Sequence, residues 1–237
     1  QVVDVTFPFV LDQETMSPRA EDIFYEVNPA DSCAVEVALT LRETYGGEVS
    51  YLSFGPKRVE KTLRDCLAMG GDRAIRVWEE GLASSSPAKA YLLARAVEQL
   101  SPDIVLCGSR SLDEGSGETP AAMAEFLGLP QVIGVTDLEL SPDRGKAVVK
   151  RKLERGKRDI IECPLPAVLA VEAGMQQPRY AALPQLIEAS RAQVGLLDGQ
   201  ALGIESSELR RLDSLRTVVS RALPRPRPKK AFNMESG

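Results

Sequence analysis

The sequence predicts an α/β protein, with a mostly parallel, doubly wound sheet, antiparallel additions and an extended C-terminal arm. Three observations carry the prediction. From Asn28 to Leu129, short apolar segments alternate with amphipathic helical ones. Strands joined by helices run parallel, and right-handed crossovers place helices on both faces of the sheet. After Leu129-Pro130 the helices stop, and four short strand patterns follow with turn residues between them. The end, Pro224-Arg225-Pro226-Arg227-Pro228-Lys229-Lys230, cannot propagate a helix or a central strand. Residues 1–193 are therefore expected to form the α/β domain, and residues 194–237 an arm that orders on a partner.

Each element has a local justification. The chain opens on Gln1-Val2-Val3-Asp4-Val5, poorer in apolar residues than a first strand should be, so a strand ahead of Gln1 is expected. Asp31-Ser32 precede Ala34, Val35, Val37, Ala38 and Leu41 at helical spacing, an N-capped helix ended near Gly46-Gly47. Residues 48–54 alternate as a strand, and Gly55-Pro56 turns into a helix through Val59, Leu63, Cys66, Leu67 and Met69. Residues 74–78 form the next strand and 87–100 the next helix. Beyond Pro130 the expected strands are 132–140, 146–152, 159–163 and 167–172, with hairpin turns at Arg144-Gly145 and Arg155-Gly156. Residues 184–192 suggest a helix. From about Val194 the hydrophobic signal thins.

The stretch Cys107–Leu127 is the candidate binding element. Asp103-Ile104-Val105-Leu106 reads as a buried parallel strand, followed by Gly115-Ser116-Gly117 and a helix start. Thr119 can serve as N-cap, with Pro120 at the first helical position. Strand, glycine-rich loop and helix N-terminus together present backbone N–H groups to a phosphate, and glycine permits close approach and positive φ. Alone, the loop reads as easily as an ordinary strand-to-helix turn. It lacks the third glycine of a dinucleotide fingerprint and the lysine of a Walker loop. Asp113, Glu114 and Glu118 would repel a phosphate unless they point away or bind through a donor or metal.

Composition removes several classes of function. The formal net charge of −5 gives no general attraction to nucleic acid or anionic lipid. No apolar run approaches membrane-spanning length, and no signal peptide is visible, so direct membrane insertion is not expected. Cys33, Cys66, Cys107 and Cys163 are widely spaced without a CxxC, which favours reduced thiols over disulfides or a metal site. These features fit a cytoplasmic protein. With no histidine, the chain lacks the commonest general base and metal ligand.

Several segments together resemble the beta subunit of electron-transfer flavoproteins. They are Asn28-Pro29, residues 67–74 (LAMGGDRA), the Cys107–Gly117 loop, residues 127–132 (LGLPQV), residues 165–168 (LPAV) and residues 177–184 (QPRYAALP). Their order and spacing match the family from Gln1 to about Val194. The family opens with a strand ending in Lys-Gln-Val, and Gln1-Val2 stand at its end.

The resemblance implies a sheet like that of the adenine-nucleotide alpha-hydrolases and a heterodimer with an alpha subunit. The redox FAD would sit mainly on alpha, and this chain would hold AMP, or a second FAD as in electron-bifurcating members. By position, Asn28, Pro29, Ala30, Asp31, Phe54, Asp113, Gly115, Ser116, Gly117, Glu118, Thr119, Pro120 and Ala121 would line that nucleotide site. The acidic residues would cap the loop or face ribose. Electrons would come from an acyl-CoA-type or other dehydrogenase and pass to a membrane-bound quinone oxidoreductase or similar acceptor. In the family the loop before Pro-Arg-Tyr anchors the dehydrogenase through an apolar side chain. Position by position this is Met175, expected to be exposed, with Pro178, Arg179 and Tyr180 beside it.

There are departures from the pattern. Glu118 and Pro120 replace the usual Gln and Gly of bifurcating members, and Val5 and Ala30 stand where some relatives carry aromatic residues. The bulkier, more acidic loop disfavours a second pyrophosphate. No catalytic or metal site is expected in this chain. An adenine-nucleotide hydrolase should show an SGGxDS-type loop, which is missing here. A non-redox nucleotide sensor would leave the arm and the Pro-Arg-Tyr segment without a role.

Overall fold

The computed structural model describes residues 1–4, 23–82, 86–215 and 219. Val5 and the run Pro224–Lys230 lie outside the described residues. In chain order the elements are β1 (Val2–Val3), β2 (Tyr25–Glu26), α1 (Pro29–Tyr45), β3 (Ser50–Phe54), α2 (Val59–Met69), β4 (Arg73–Val77), α3 (Ser86–Leu100), β5 (Ile104–Gly108), α4 (Glu118–Leu127), β6 (Gln131–Leu140), β7 (Lys146–Lys152), β8 (Arg158–Pro164), β9 (Ala167–Val171), α5 (Leu183–Arg191), β10 (Gly195–Leu197) and α6 (Ser206–Asp213).

The parallel strands fall into two blocks rather than one continuous sheet. One runs β10-β4-β3, parallel throughout, and the other β5-β9-β6-β7-β8. In the second block β5, β9 and β6 are parallel, while β7 and β8 add an antiparallel ribbon. β9 is buried along its whole length, as a central strand covered on both faces should be.

Alternation along the strands sends side chains to two layers. Tyr51 packs with Val35, Leu39, Leu63 and Cys66, so α1 and α2 cover one face. Leu52, Val105 and Val168 pack with Ala94, Val97 and Met123, so α3 and α4 cover the other. Tyr51 is fixed further by its hydroxyl, which donates to the carbonyl of Gly70 at 2.8 Å. Gly71 makes room for that ring, because a Cβ there would lie 2.5 Å from it.

Strand order reverses between β3 and β5, and the two edges face each other. Neither edge has a strand partner among the described residues. All residues of β3 and β5 line the same cavity, of about 1110 Å³. Ala34 and Ala38 of α1 close it on one side and Leu93 and Val97 of α3 on the other; Gln1 stands at its wall. A point of strand reversal in a doubly wound sheet is where ligands bind, beyond the carboxyl ends of the strands.

The region after Val194 differs from the sequence expectation. β10 pairs with β4, and Leu202 and Leu209 are buried with Val77, Leu92 and Ala96. Three residues of strand and a few leucines give no readable period. They are ordered by the surface that receives them. No helix among the described residues is long and apolar enough to cross a membrane.

The facing edges generate a prediction. A six-residue apolar β-forming extension fused to Gln1 should pair with β3 and β5. It should raise the Tm by about 2–4 °C for each kcal/mol gained, relative to a Gly/Ser extension of equal length. Thermal melts of the two fusions check this.

Candidate functional site

The site is organised by the amino end of α1. Asn28 is its N-cap and Pro29 its first residue, so the helix begins ahead of the expected Asp31-Ser32 cap. The Asn28 side chain turns instead toward the chain leaving β5. It is 1% exposed. Its amide nitrogen donates to Asp31 Oδ2 at 2.8 Å and to the Arg110 carbonyl at 3.1 Å. Its Oδ1 accepts the Leu112 N–H at 3.2 Å, and Asp31 Oδ1 accepts the Gly108 N–H at 2.6 Å. Side chains of α1 thus pair main-chain groups just where β5 gives way to the loop.

Gly108 allows that approach. A Cβ there would lie 2.9 Å from both Ala30 Cβ and the Asp31 nitrogen. Further along, Gly115 and Gly117 both adopt φ 64°, which a glycine reaches without strain. Gly117 is the N-cap of α4, and the helix starts at Glu118. Thr119 and Pro120 are therefore its second and third residues rather than cap and first residue. The left-handed glycine turns the chain into the helix earlier than a hydroxyl cap would. Pro120 still sits in the first turn, where its missing N–H costs no helical bond.

The loop's carboxylates are largely engaged in its own framework. Asp113 Oδ1 accepts the Glu114 N–H at 2.7 Å, and Glu114 pairs with Lys89 of α3 at 3.5 Å. The Lys89–Glu114 pair also shows that α3 and the β5–α4 loop meet at one edge of the sheet. Arg110 is exposed at the cavity and makes no ion pair among the described residues.

Of the residues expected to bind a nucleotide, Asp31, Phe54, Ser116, Gly117, Thr119 and Pro120 line the central cavity. Asn28 and Ala30 are buried behind it. Pro29 faces a second pocket, of about 460 Å³, shared with Gly174 and Pro178. Asp113, Gly115, Glu118 and Ala121 are in the loop and helix but do not line the cavity. Lys89, Gly108, Arg110 and Ser111 line it and were missed from sequence. A lysine in the first turn of α3 and an arginine two residues beyond β5 were the available signals. Phe54 is steadied by Trp78, with ring centroids 5.3 Å apart.

A second cluster lies along α1. Arg179 Nε and Nη2 donate to the Glu36 carboxylate at 3.0 and 2.9 Å, and Nη1 donates to Glu43 at 2.5 Å. The Arg179 main-chain N–H also donates to Glu36, at 2.9 Å, and Gln176 donates to Thr40 Oγ1 at 3.1 Å. These bonds draw the 173–182 segment onto the helix. Met175, expected to be exposed, is half-buried against Cys33, Ala34 and Val171 as a result. Pro178 is half-buried and Tyr180 is 94% exposed.

Protonation follows these surroundings. Hydrogen bonds from Arg179 hold the Glu36 carboxyl below its ordinary 4.5, against the opposing effect of burial. Burial pushes the Cys66 thiol up to about 12 and raises that of Cys107 as well. Both thiols are neutral at physiological pH and poor nucleophiles. No group of three or more potential metal ligands occurs among the described residues.

The fold and crevice define a doubly wound α/β chain with a helix N-terminus, Lys89 and Arg110 at the point of strand reversal. The family model described as electron transfer flavoprotein domain matches residues 20–198. The chain is 30% identical over 219 residues to the electron transfer flavoprotein subunit beta of Methylophilus methylotrophus, covering 91% of this chain and 83% of that protein. It is 33% identical over 216 residues to the subunit of that name from Thermoanaerobacterium thermosaccharolyticum, covering 90% and 82%. Protein FixA of Azorhizobium caulinodans is 30% identical over 212 residues, covering 86% and 75%. The chain belongs to the electron transfer flavoprotein beta-subunit family.

Two predictions arise from the site. Gly108→Ala should lower stability by about 1–3 kcal/mol through forced separation of α1 and β5. Asn28→Ala should cost about 1–3 kcal/mol by leaving the Arg110 carbonyl and Leu112 N–H unpaired. Urea unfolding of both variants checks the pair.

A further prediction concerns pH. A carboxyl whose folded pKa is depressed contributes stability above its unfolded pKa and loses it as pH falls through the folded value. The Glu36–Arg179 contribution should therefore be complete above about pH 5 and decline below 4.5, Glu36's ordinary value. Hydrogen exchange at the Arg179 amide should speed up over that range before the β9 amides do.

Proposed function

We propose that this chain is the beta subunit of a heterodimeric electron carrier, working in the cytoplasm, whose redox FAD is held mainly by an alpha subunit. The chain itself holds AMP beyond the carboxyl ends of β3 and β5, against the loop that opens α4. The observation that carries the reading is the loop that opens α4. Two left-handed glycines lead into a helix N-terminus at the strand reversal, and Asn28 and Asp31 hold the loop's start in place. First-turn N–H groups, the Ser116 and Thr119 hydroxyls, and the charges of Lys89 and Arg110 suit a phosphate monoester. With Asp113 and Glu114 already engaged, the loop's acidity is compatible with that anion.

AMP in this place is structural. It joins loops from both halves of the sheet and makes or breaks no bond. FAD, when bound by the heterodimer, supplies the electron-accepting chemistry. Electrons enter from a dehydrogenase of the acyl-CoA or a related type and leave to an acceptor such as a membrane-bound quinone oxidoreductase. The exposed Tyr180 end of the 173–182 loop is the docking segment, while Arg179 faces inward.

Composition of the co-expressed heterodimer tests this. A yellow complex should release one FAD and one AMP on denaturation, read by mass spectrometry, while this chain alone stays colourless. Two FAD and no AMP would replace AMP by a second flavin and support a bifurcating carrier. A colourless heterodimer would overturn the electron-carrier reading.

A further inference from the structure

We propose that Glu36 is the positioning residue of the docking loop: it holds Arg179 on α1 and so sets the direction in which Tyr180 leaves the surface. The inference rests on the reading of the 173–182 loop as the segment that meets a dehydrogenase.

Between the end of β9 at Val171 and the start of α5 at Leu183 the chain has no helix or strand. Beyond the main-chain bonds of Glu172 and Met175, its shape comes from side-chain bonds. Glu36 supplies the densest set, accepting the Arg179 main-chain N–H and two guanidinium nitrogens. The main-chain bond fixes the path of the loop, and the paired guanidinium bonds fix the plane of the side chain. Glu43, one further turn pair along the same helix, takes the remaining guanidinium nitrogen.

Burial makes the arrangement obligatory. Glu36 is 8% exposed, and a carboxylate at that depth requires a paired, hydrogen-bonded partner. Every guanidinium nitrogen of Arg179 is committed to α1. Arg179 is therefore not available to pair with an acidic surface of another protein without stranding Glu36. The adjacent Tyr180, by contrast, is 94% exposed, an aromatic ring with an apolar face and a polar tip.

The same helix carries the Asn28 and Asp31 contacts to the β5–α4 loop. Glu36 lies five residues beyond Asp31, a rise of about 7.5 Å along the axis. Docking loop and crevice are thereby referred to one rigid element. A dehydrogenase that grips Tyr180 is placed in a fixed relation to the sheet.

The test uses the flavin-loaded heterodimer and a purified acyl-CoA dehydrogenase selected because it reduces the wild-type carrier. Carrier concentration is varied for wild type, Glu36→Gln and Tyr180→Ala. Glu36→Gln should raise the KM for the carrier about three- to tenfold with kcat unchanged, and hydrogen exchange at the Arg179 amide should quicken. Tyr180→Ala should raise KM with normal exchange at Arg179. A wild-type KM in Glu36→Gln, alongside a raised KM in Tyr180→Ala, overturns the positioning role and leaves the docking reading intact. Wild-type KM in both removes the docking reading, and this inference with it. A fall in kcat at constant KM in Glu36→Gln also overturns it.

Discussion

A main-chain group that leaves a sheet loses its ladder partner, and the cost of leaving it unpaired in the interior governs the centre of this molecule. β5 ends at Gly108, directly beneath the start of α1. The Gly108 N–H, Arg110 carbonyl and Leu112 N–H are served by Asn28 and Asp31. That arrangement works only if helix and strand nearly touch, which a side chain at position 108 would prevent. The course of the following loop, the start of α4 and the shape of the crevice all depend on this junction. A small residue in the strand and two short polar residues at the helix start are its whole chemical requirement.

The same helix then imposes order on a second irregular segment. Glu36, Thr40 and Glu43 occupy one side of α1 and receive Gln176 and Arg179. Charged groups here act as fasteners rather than as a reactive centre. The ribbon of β6, β7 and β8 uses charge in a simpler way, with Lys150–Asp137 and Arg151–Asp159 pairs across neighbouring strands. These pairs are solvent-exposed and contribute little to stability; their value lies in keeping a basic strand soluble and in register.

Recognition of an anion is the chemistry we propose for the crevice. Its cations and helix N-terminus suit an anion, and its thiol at Cys107 is neutral because burial disfavours the thiolate. The chain belongs to the electron transfer flavoprotein beta-subunit family.

By itself the sequence determined the order of helices and strands from Asn28 to Val171, the antiparallel turn of the later strands and the glycine-rich loop before α4. Those are local properties: apolar period, turn residues and positive-φ glycines are written in adjacent residues. It also carried the family, through motifs such as QPRYAALP. The tertiary structure alone decided the rest. α1 begins at Pro29 rather than after Asp31, and the side chains of Asn28 and Asp31 serve the distant β5–α4 loop instead of capping the helix. Met175 is drawn against Cys33 and Ala34 because Arg179, four residues on, finds Glu36 on another element. Residues 195–213 fold because β4 and α3 offer them an edge and an apolar surface. Lys89 and Arg110 line one cavity only because α3 packs beside α4 and the loop that precedes it. Each of these depends on partners far away in sequence, and no local pattern encodes who those partners are.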